Sequence, residues 1–428
     1  MGEVRVVIAG GGWSGCAAAL TAKNAGAAVT LLERTDQLLG TGLVGGIMRN
    51  NGRFTATEEA IALGAGELFE LCDSIARHRY LDFPGHKHAT LYDVAKAEPT
   101  IRRYLLSKGI DVRCEARVTD VVMEGSKIKA LVTEDGEKYE GDVFLDTTGT
   151  AGPQGNCTKY GNGCAMCVLR CPSYGPRVSV AAKAGVKEFV GGTSKGTIGS
   201  MSGSCKLHKE SLAPEIVEKL NEAGVVVIPV PAELRKKDVL AYKACQQYAL
   251  GEYAENIVLL DTGHAKLMTP FFPVELLRQI PGMENSRFED PYSGGKGNSM
   301  RYFAIAPRDD FLKVEGVDNL FCGGEKTGPL VGHTEAMVTG ALAGYNAVRY
   351  TLGMDLVKIP ESLAIGDAIA HVGRLVKSGE GLSQKFTFSG SVYFERMKQL
   401  GLYSTDKAAI KKRVRDAGME GALAKRLV

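Results

Sequence analysis

Four cysteines stand close together in one short stretch of this chain. Cys157, Cys164, Cys167 and Cys171 follow one another with the spacing C-x6-C-x2-C-x3-C, and Pro172 comes directly after the last of them. Thiolates at such short spacings suit iron–sulfur clusters or zinc, because one loop can then wrap around the metal. Pro172 keeps that loop from continuing as a helix. The run therefore predicts metal or redox chemistry.

Four interpretations of this cysteine run remain open. The first is a [4Fe–4S] cluster, for which Cys205 competes with Cys157 as the fourth ligand, and the second is a structural zinc ion. The third is a redox dithiol or nucleophilic thiol, with Cys164 and Cys167 as catalytic residues and Arg170 stabilising a nearby negative charge. The fourth is a loop without metal. The remaining cysteines in apolar contexts are predicted to be core thiols: Cys16, Cys72, Cys114, Cys245 and Cys322.

A second chemical signature lies at the start of the chain. An apolar β-branched run over residues 4–8 meets Gly10, Gly12 and Gly15 in a G-x-G-x-x-G turn, and an Ala-rich helical stretch and a second apolar run follow. Such glycines permit a tight turn, close approach of a pyrophosphate and close helix–strand packing. Glu33 lies 21 residues beyond Gly12, where an acid accepts hydrogen bonds from a ribose. The stretch predicts a dinucleotide-binding unit.

Length and composition bound the remaining possibilities. The 428 residues are too many for one ordinary domain, and a formal charge of +3 implies no particular partner. No apolar run reaches the roughly 18 residues of a membrane span, and the first strand leaves no room for a signal peptide. We therefore expect a cytoplasmic protein with reduced thiols, a small-molecule substrate, no membrane contact and possible homo-oligomers.

Later elements extend the dinucleotide-binding unit. Helices are predicted at 58–80 and 99–108, and strands at 111–122, 127–133 and 138–140 are predicted to form a three-stranded meander. A further strand at 142–149 ends in Thr-Thr-Gly, and a late strand–turn–helix spans 316–353. This order is typical of FAD-binding flavoproteins. We predict an α/β fold with a Rossmann-like FAD-binding domain of the glutathione-reductase type, an inserted α+β substrate domain and a C-terminal helical tail. The predicted boundaries are 1–150 and 301–353 for the FAD-binding domain, 151–300 for the insert and 354–428 for the tail.

Two segments carry a family resemblance. LRQIPGMENSRF at 277–288 and NLFCGGEKTGPLVGHTEAMVTGALAGYNAVR at 319–349 resemble the flavoproteins that modify tRNA uridines, of the folate-dependent methyltransferase and carboxymethylaminomethyl types. The segment 90–122, with DTTG, is similar to a broader family of FAD-dependent oxidoreductases, some of which are associated with iron–sulfur clusters. Those tRNA enzymes carry a cysteine soon after the second strand, where this chain has GTGLVGGIMRN, and the carboxymethylaminomethyl type continues into a long helical tRNA-binding domain. Both departures count against tRNA modification.

The resemblance and the motifs together assign site residues. The residues expected to hold FAD are Gly10, Gly12, Trp13, Ser14, Gly15, Glu33, Arg34, Gly40, Val118, Thr148, Gly149, Gly324, Glu325, His333 and Thr334. His333 is also a catalytic candidate, and His264 is a second histidine that can face the cavity. His86 and His88 lie in a polar turn and are expected to be exposed. Arg177 and Arg308 are candidates for an anionic partner. The loop 38–51 lines the flavin in one interpretation and is a plain loop in the other.

Three functions follow from these expectations. The first is an FAD-dependent oxidoreductase in which the flavin exchanges electrons between a small-molecule substrate and a [4Fe–4S] cluster that serves a ferredoxin-like carrier. The second is a folate- and FAD-dependent tRNA uridine-modifying enzyme. The third is a non-catalytic electron-transfer subunit. The segment 407–426 has seven basic and two acidic residues, and we expect it to pack on its own protein rather than bind nucleic acid.

Overall fold

The structure is a computed structural model, and not every residue of the chain can be described. The described ranges are 3–150, 173–192, 200–201, 205–236, 240, 246–270, 272–289, 300–301 and 304–428. Cys157, Cys164, Cys167, Arg170 and Cys171 lie outside these ranges. Their predicted roles therefore stay predictions.

Strands and helices alternate along the first part of the chain. The strands within the described ranges are β1 (Arg5–Ala9), β2 (Ala28–Leu32), β3 (Ile47–Met48), β4 (Ala76–Phe83), β5 (His86–Tyr92), β6 (Asp111–Arg113), β7 (Val118–Glu124), β8 (Lys127–Thr133), β9 (Lys138–Glu140), β10 (Val143–Asp146), β11 (Phe189–Val190), β12 (Ser200–Met201), β13 (Cys205–Leu207), β14 (Val225–Pro229), β15 (Asn256–Asp261), β16 (Ala265–Leu267), β17 (Met300–Arg301), β18 (Ala304–Ile305) and β19 (Leu320–Cys322). The helices are α1 (Trp13–Asn24), α2 (Gly52–Leu63), α3 (Glu67–Ser74), α4 (Val94–Ser107), α5 (Val180–Lys183), α6 (Pro214–Ala223), α7 (Glu252–Glu255), α8 (Val274–Leu277), α9 (His333–Thr351), α10 (Ala364–Ser378), α11 (Ser391–Gln399) and α12 (Lys407–Asp416).

A five-stranded parallel sheet forms the centre of the fold. Its strand order is β19-β10-β1-β2-β6. All of β10, and β1 apart from its first residue, are buried, as expected for β-branched and apolar runs that are covered on both faces of a parallel sheet. The predicted α/β class with a Rossmann-like parallel sheet is confirmed.

Two helices pack on each other with almost no side chain between them. A Cβ atom at Gly340 of α9 would overlap the carbonyl oxygen of Ser14 in α1, and one at Gly344 would overlap that of Ala18. Only glycine permits this approach, since any side chain would separate the backbones. The pairing fixes α9 beside the glycine turn that begins α1.

Antiparallel sheets surround the parallel one. β7, β8 and β9 form a meander, and β3, β5 and β4 form a second small sheet. The inserted segment has its own sheet, β13-β16-β15-β14, and its own core, in which Leu207, Leu220 and Leu259 are fully buried. The insert is thus an α+β unit, as predicted.

Several predictions of secondary structure are wrong, either in where an element begins and ends or in the strand with which it pairs. The helix predicted over 58–80 is two helices and a strand, because Gly64, with φ of 88°, ends α2 and β4 begins at Ala76. β6 does not join the meander but pairs in parallel with β2. The helix predicted from Pro99 begins earlier, because the Asp93 side chain accepts hydrogen bonds from the backbone of the first turn of α4.

The segment after residue 353 is helical, as predicted, and packs on α2. Ile410, Val414 and Leu423 are buried on the inner side of this segment. Glu59 of α2 accepts hydrogen bonds from the backbone N–H groups of Ala364 and Ile365 at the start of α10. Burial nevertheless raises the pKa of Glu59 to about 7. No helix within the described ranges is long and apolar enough to cross a bilayer.

We expect Gly340→Ala to destabilise the protein by about 2 kcal/mol or more, because the new methyl group meets backbone atoms that cannot move aside. In the interior of a helix with free space around it, the same change would raise the free energy of unfolding by roughly 0.5–1 kcal/mol. Chemical denaturation measures the free energy of unfolding. Gly251→Ala is the matched control, because a Cβ there meets no atom within 4 Å. Equal stabilities of the two variants would contradict the helix contact.

Candidate functional site

A single long cleft runs along the carboxyl ends of four parallel strands. The residues that follow β1, β2, β10 and β19 all line it, and it contains about 1630 Å³ of empty space including its open mouth. Ligands of open α/β sheets bind at this edge. The cleft passes the ends of four strands, which suits an extended ligand.

The glycine turn forms one part of the cleft wall. Gly10 has φ of 99° and sits against the backbone of Thr147, and a Cβ at Gly15 would overlap the carbonyl oxygen of Gly10. A Cβ at Gly12 would meet no atom within 4 Å, so Gly12 faces open space. No side chain caps the N-terminus of α1. Its N–H groups and positive dipole end are available for a phosphate.

Glu33 is buried at the end of β2 and shapes the turn. Its Oε2 atom accepts a hydrogen bond of 2.8 Å from the backbone N–H of Gly11, and Oε1 accepts from the N–H and the hydroxyl of Thr35. A carboxylate has about four acceptor sites. Glu33 can therefore hold the turn and still accept from a ribose hydroxyl. Arg34 beside it donates to the carbonyl oxygen of Gly175.

The Thr-Thr-Gly turn after β10 lies opposite the glycine turn. The Thr147 hydroxyl donates to the carbonyl oxygens of Ala9 and Gly10. Asp146 is fully buried and accepts from the backbone N–H groups of Thr148 and Ala181. These bonds lock the two strand ends together at the base of the cleft.

The loop after β2 also lines the cleft. Leu39, Gly40, Thr41, Val44 and Gly45 all contribute to the wall. Of the two interpretations offered for 38–51, the structure thus supports a ligand-lining loop. It contains no cysteine.

The N-terminus of α9 closes the cleft on the side of this loop. His333 lies against Gly45, and its ring centroid is 5.7 Å from that of Trp13. Glu335 lies in the first turn of α9, where its negative charge would reduce the positive electrostatic potential at the helix N-terminus. Arg53 forms a buried ion pair with Glu335 at 3.2 Å, so the acid is neutralised where it stands.

The insert supplies the remaining wall, which sequence reasoning missed. Lys266 and Met268 come from β16 and the residue after it, and Gln247 and Tyr248 come from a short turn. Alternation along a strand places residues 266 and 268 on one face. No local motif marks these residues, because only the pairing of distant strands brings them to the cleft.

Most predicted cofactor residues meet in this one cleft. The members that line it are Gly10, Gly12, Trp13, Ser14, Glu33, Arg34, Gly40, Val118, Thr148, Gly149, Gly324, Glu325 and His333, together with the anion candidate Arg177. Gly15 does not line the cleft. Its missing side chain lets α1 pack closely on the carbonyl oxygen of Gly10, directly after β1. Thr334 is buried and does not line the cleft.

The candidates His264 and Arg308, and also His86, have structural roles instead. His264 pairs with Glu289 and lies outside the cleft. Arg308 is buried and donates to the carbonyl oxygens of Thr327 and Ile369. His86, predicted to be exposed, is buried because it bonds to Asn50 and stacks on Phe83. Among the described residues, no group of His, Cys, Asp and Glu side chains is arranged to hold a metal ion.

The described cysteines are mostly core thiols, as predicted. Cys16, Cys72 and Cys322 are fully buried, and Cys114 is half-buried. Burial raises the pKa of the Cys322 thiol to about 12 and that of Cys114 to about 11. Cys205, the rival cluster ligand, is also buried. Cys245 lies outside the described residues.

An unsatisfied polar atom shows that the cleft fits an anionic ligand. The Ser14 hydroxyl is buried at the cleft wall in the first turn of α1, and it has no hydrogen-bond partner among the residues that the structure describes. A buried hydroxyl without a partner costs roughly 1–3 kcal/mol. A phosphate oxygen at the helix N-terminus would supply the acceptor. The residues present therefore fit the pyrophosphate of a dinucleotide.

We predict that Glu33→Gln weakens FAD binding at least tenfold. The amide NH2 of glutamine would face the N–H of Gly11 or of Thr35, which leaves a donor without an acceptor. Equilibrium titration of apoprotein with FAD measures the dissociation constant. Glu140→Gln is the control, because Glu140 is exposed and pairs only loosely with Arg5, at 4.0 Å. Unchanged affinity in Glu33→Gln would contradict the role of Glu33.

Comparisons with known proteins agree with this architecture. The structure of GidA from Aquifex aeolicus superimposes with a TM-score of 0.67 at 15% identity, covering 97% of this chain and 76% of that one. This likeness shows the fold. The "Methylenetetrahydrofolate--tRNA-(uracil-5-)-methyltransferase TrmFO" of Desulfotalea psychrophila is 34% identical over 129 residues, which are 30% of this chain and 27% of that protein.

A second such methyltransferase, from Methylobacterium radiotolerans, is 30% identical over 154 residues, or 33% of this chain and 31% of that protein. The matched segments thus span about three tenths of the length of these relatives. The family model "Glucose inhibited division protein A" matches residues 5–240 and 263–355, which include both the glycine turn and the closing helix. The chain belongs to this GIDA family.

Proposed function

We propose that this protein is an FAD-dependent enzyme that modifies uridine in tRNA with a reduced folate as the one-carbon donor. The observation that carries the proposal is the joint match to the GIDA family and to relatives that are named as folate-dependent tRNA (uracil-5-) methyltransferases. The cleft supports it, because its residues suit a dinucleotide and the N-terminus of α9 lines the same cleft.

The described residues divide the binding of FAD between them. The glycine turn and the N-terminus of α1 would hold the pyrophosphate, and Glu33 would hold the adenosine ribose. The flavin ring would lie between the loop 38–48 and the N-terminus of α9, beside His333. When bound there, FAD supplies hydride and electron transfer.

The rest of the cleft orients the reactants and excludes water. Arg53 neutralises Glu335, so the first N–H groups of α9 keep their positive character toward the flavin site. The insert covers the same end with Tyr248 and Met268. A covered site strengthens each electrostatic contact because water no longer screens it.

A basic helix on the surface supports a polyanionic substrate. The inner side of α12 is buried through Ile410 and Val414, so the helix is held firmly on α2. Lys411, Lys412 and Arg415 lie on its exposed side. Lysine and arginine that neutralise phosphates account for most of the non-specific affinity for nucleic acid.

We expect the FAD-loaded protein, reduced with dithionite, to form 5-methyluridine when it is given unmodified tRNA and methylenetetrahydrofolate, as detected by mass spectrometry of nucleosides. The reduced flavin supplies the two electrons that turn the methylene carbon of the folate into a methyl group. The variant in which Lys411, Lys412 and Arg415 are all changed to Glu should bind tRNA at least tenfold more weakly, because it replaces three phosphate contacts by repulsion. A gel-shift titration at low salt measures this affinity.

Reversal of two charges on the meander, Lys127→Glu with Lys129→Glu, is the matched control and should leave tRNA affinity unchanged. A protein that holds reduced FAD and folate but modifies no tRNA would contradict the proposed substrate. Equal tRNA affinity in the α12 variant and the meander variant would show that α12 does not contact tRNA.

The cysteine run favours a second candidate function, an FAD-dependent oxidoreductase that passes electrons to a [4Fe–4S] cluster. Its spacing, C-x6-C-x2-C-x3-C-P, resembles that of cluster-binding loops. Gly149 and Arg177, which flank the segment on either side, both line the cleft. A cluster bound by this run could serve a ferredoxin-like carrier, either in catalysis or in a pure electron-transfer subunit.

This candidate predicts about four irons per flavin in protein purified without oxygen, together with acid-labile sulfide. Cys167→Ala should lose the iron and keep FAD, because it removes a thiolate ligand and leaves the glycine turn intact. Cys114→Ala, outside the run, is the control and should keep both. Wild-type protein with flavin but no iron would exclude the cluster and leave a zinc site, a reactive thiol or a metal-free loop.

A further inference from the structure

An exposed tyrosine stands in a strained backbone conformation on β4. Tyr80 has φ of 55°, a left-handed conformation that bulky residues rarely adopt. The pairing of β4 with β5 shifts register between His78 and Leu81, the segment that contains this tyrosine. Glycine would adopt the same φ without strain. The fold therefore holds a large ring where glycine would fit more easily, and strain of this kind is typical of functional positions.

The ring of Tyr80 faces solvent rather than the core. Its exposed fraction is 66%, the highest of any large hydrophobic side chain that the structure describes. Leu81 and Phe83, on the same strand, pack instead into an apolar cluster with residues of the insert, so β4 itself is firmly anchored. An exposed aromatic face on an anchored strand is a surface on which another planar group can stack.

A chain of polar contacts joins β4 to the basic helix α12. Arg79 is exposed and donates a hydrogen bond to the backbone carbonyl oxygen of Asp73. The Asp73 carboxylate pairs with Arg49, which also pairs with Glu58. Lys407 in the first turn of α12 pairs with Glu58 at 3.1 Å. Three basic side chains and two carboxylates form this chain, so its net charge is positive.

Aromatic contacts follow the same boundary. The ring of Phe54 in α2 lies 6.0 Å from that of His88 on β5, and the ammonium group of Lys407 lies 5.8 Å from the Phe54 ring centroid. The hairpin of β4 and β5 thus meets the start of α12 through direct contacts. The positive surface beside Tyr80 continues along the exposed basic side of α12.

We propose that Tyr80 stacks on an unpaired base of RNA whose phosphates follow this basic surface from β4 to α12. Aromatic rings beside a line of cations bind single strands well, because every base has a flat face. A base inside a duplex is already stacked on its neighbours, so the ring favours a loop or a single-stranded end over a stem. This inference rests on the proposed tRNA substrate and adds the kind of RNA segment that is recognised.

The test titrates the FAD-loaded protein with oligouridine and with duplex RNA of the same length, in gel-shift assays. Tyr80→Gly should weaken oligouridine binding roughly fivefold or more and leave duplex binding unchanged. Glycine accepts the φ of 55°, so this variant keeps the backbone. Tyr80→Phe should bind as the wild type does, because it keeps the ring. Leu106→Ala is the matched control, since it removes a side chain of α4 that is 52% exposed.

The salt dependence of binding separates stacking from charge. The slope of log affinity against log salt should be the same in Tyr80→Gly as in the wild type, because a tyrosine displaces no counterions from RNA. The slope should become shallower when Lys411, Lys412 and Arg415 are changed to Glu, because phosphate contacts are then lost. A Tyr80→Gly protein with a shallower slope would contradict the stacking role.

Equal affinity of wild type and Tyr80→Gly for oligouridine would overturn the inference, and so would an equal loss with duplex RNA. If Tyr80→Gly loses self-association in analytical ultracentrifugation but keeps its RNA affinity, Tyr80 belongs to a contact between two chains and the inference is wrong. A wild-type protein that binds oligouridine through Tyr80 but forms no 5-methyluridine in tRNA would contradict the proposed function and leave this surface in place. The two proposals can thus fail separately.

Discussion

The cleft depends on the direct packing of two helix backbones, α1 against α9. Gly340 and Gly344 lie over the backbone of Ser14 and Ala18, with no side chain between them. This contact brings the first turn of each helix to the same cleft, α1 at Gly12 and α9 at Gly332. Two positive helix ends along one groove favour a long ligand with negative charge at separated points. The extended shape of a dinucleotide matches that arrangement.

The insert is held to the rest of the fold by buried polar contacts. Asp261 at the end of β15 accepts from Arg77, His78 and Lys209. Burial alone would raise the pKa of Asp261, but hydrogen bonds from these three groups outweigh it and lower the pKa. The backbone N–H of Val94 donates to the carbonyl oxygen of Thr262 in the following turn. These contacts keep Lys266 and Tyr248 on the wall of the cleft.

Short sequence motifs were sufficient to predict the features whose geometry depends only on neighbouring residues. The glycine turn, Glu33 and the Thr-Thr-Gly turn follow from short spacings, because each belongs to a single strand–turn unit. The wrong predictions concern strands and side chains whose positions are set by residues far away in the sequence. β6 joins β2 rather than the adjacent β7, and His86 is buried by residues from another part of the chain. Lys266 carries no local signal, since strand pairing alone brings it to the cleft.

The most direct test of this account is a titration of apoprotein with FAD followed by the fluorescence of Trp13. Trp13 is the sole tryptophan in the sequence and lies on the cleft wall, so it reports occupancy of this cleft. We predict quenching that saturates at one FAD per chain. FAD binding without any change in Trp13 fluorescence, or no binding, would contradict the assignment of the cleft.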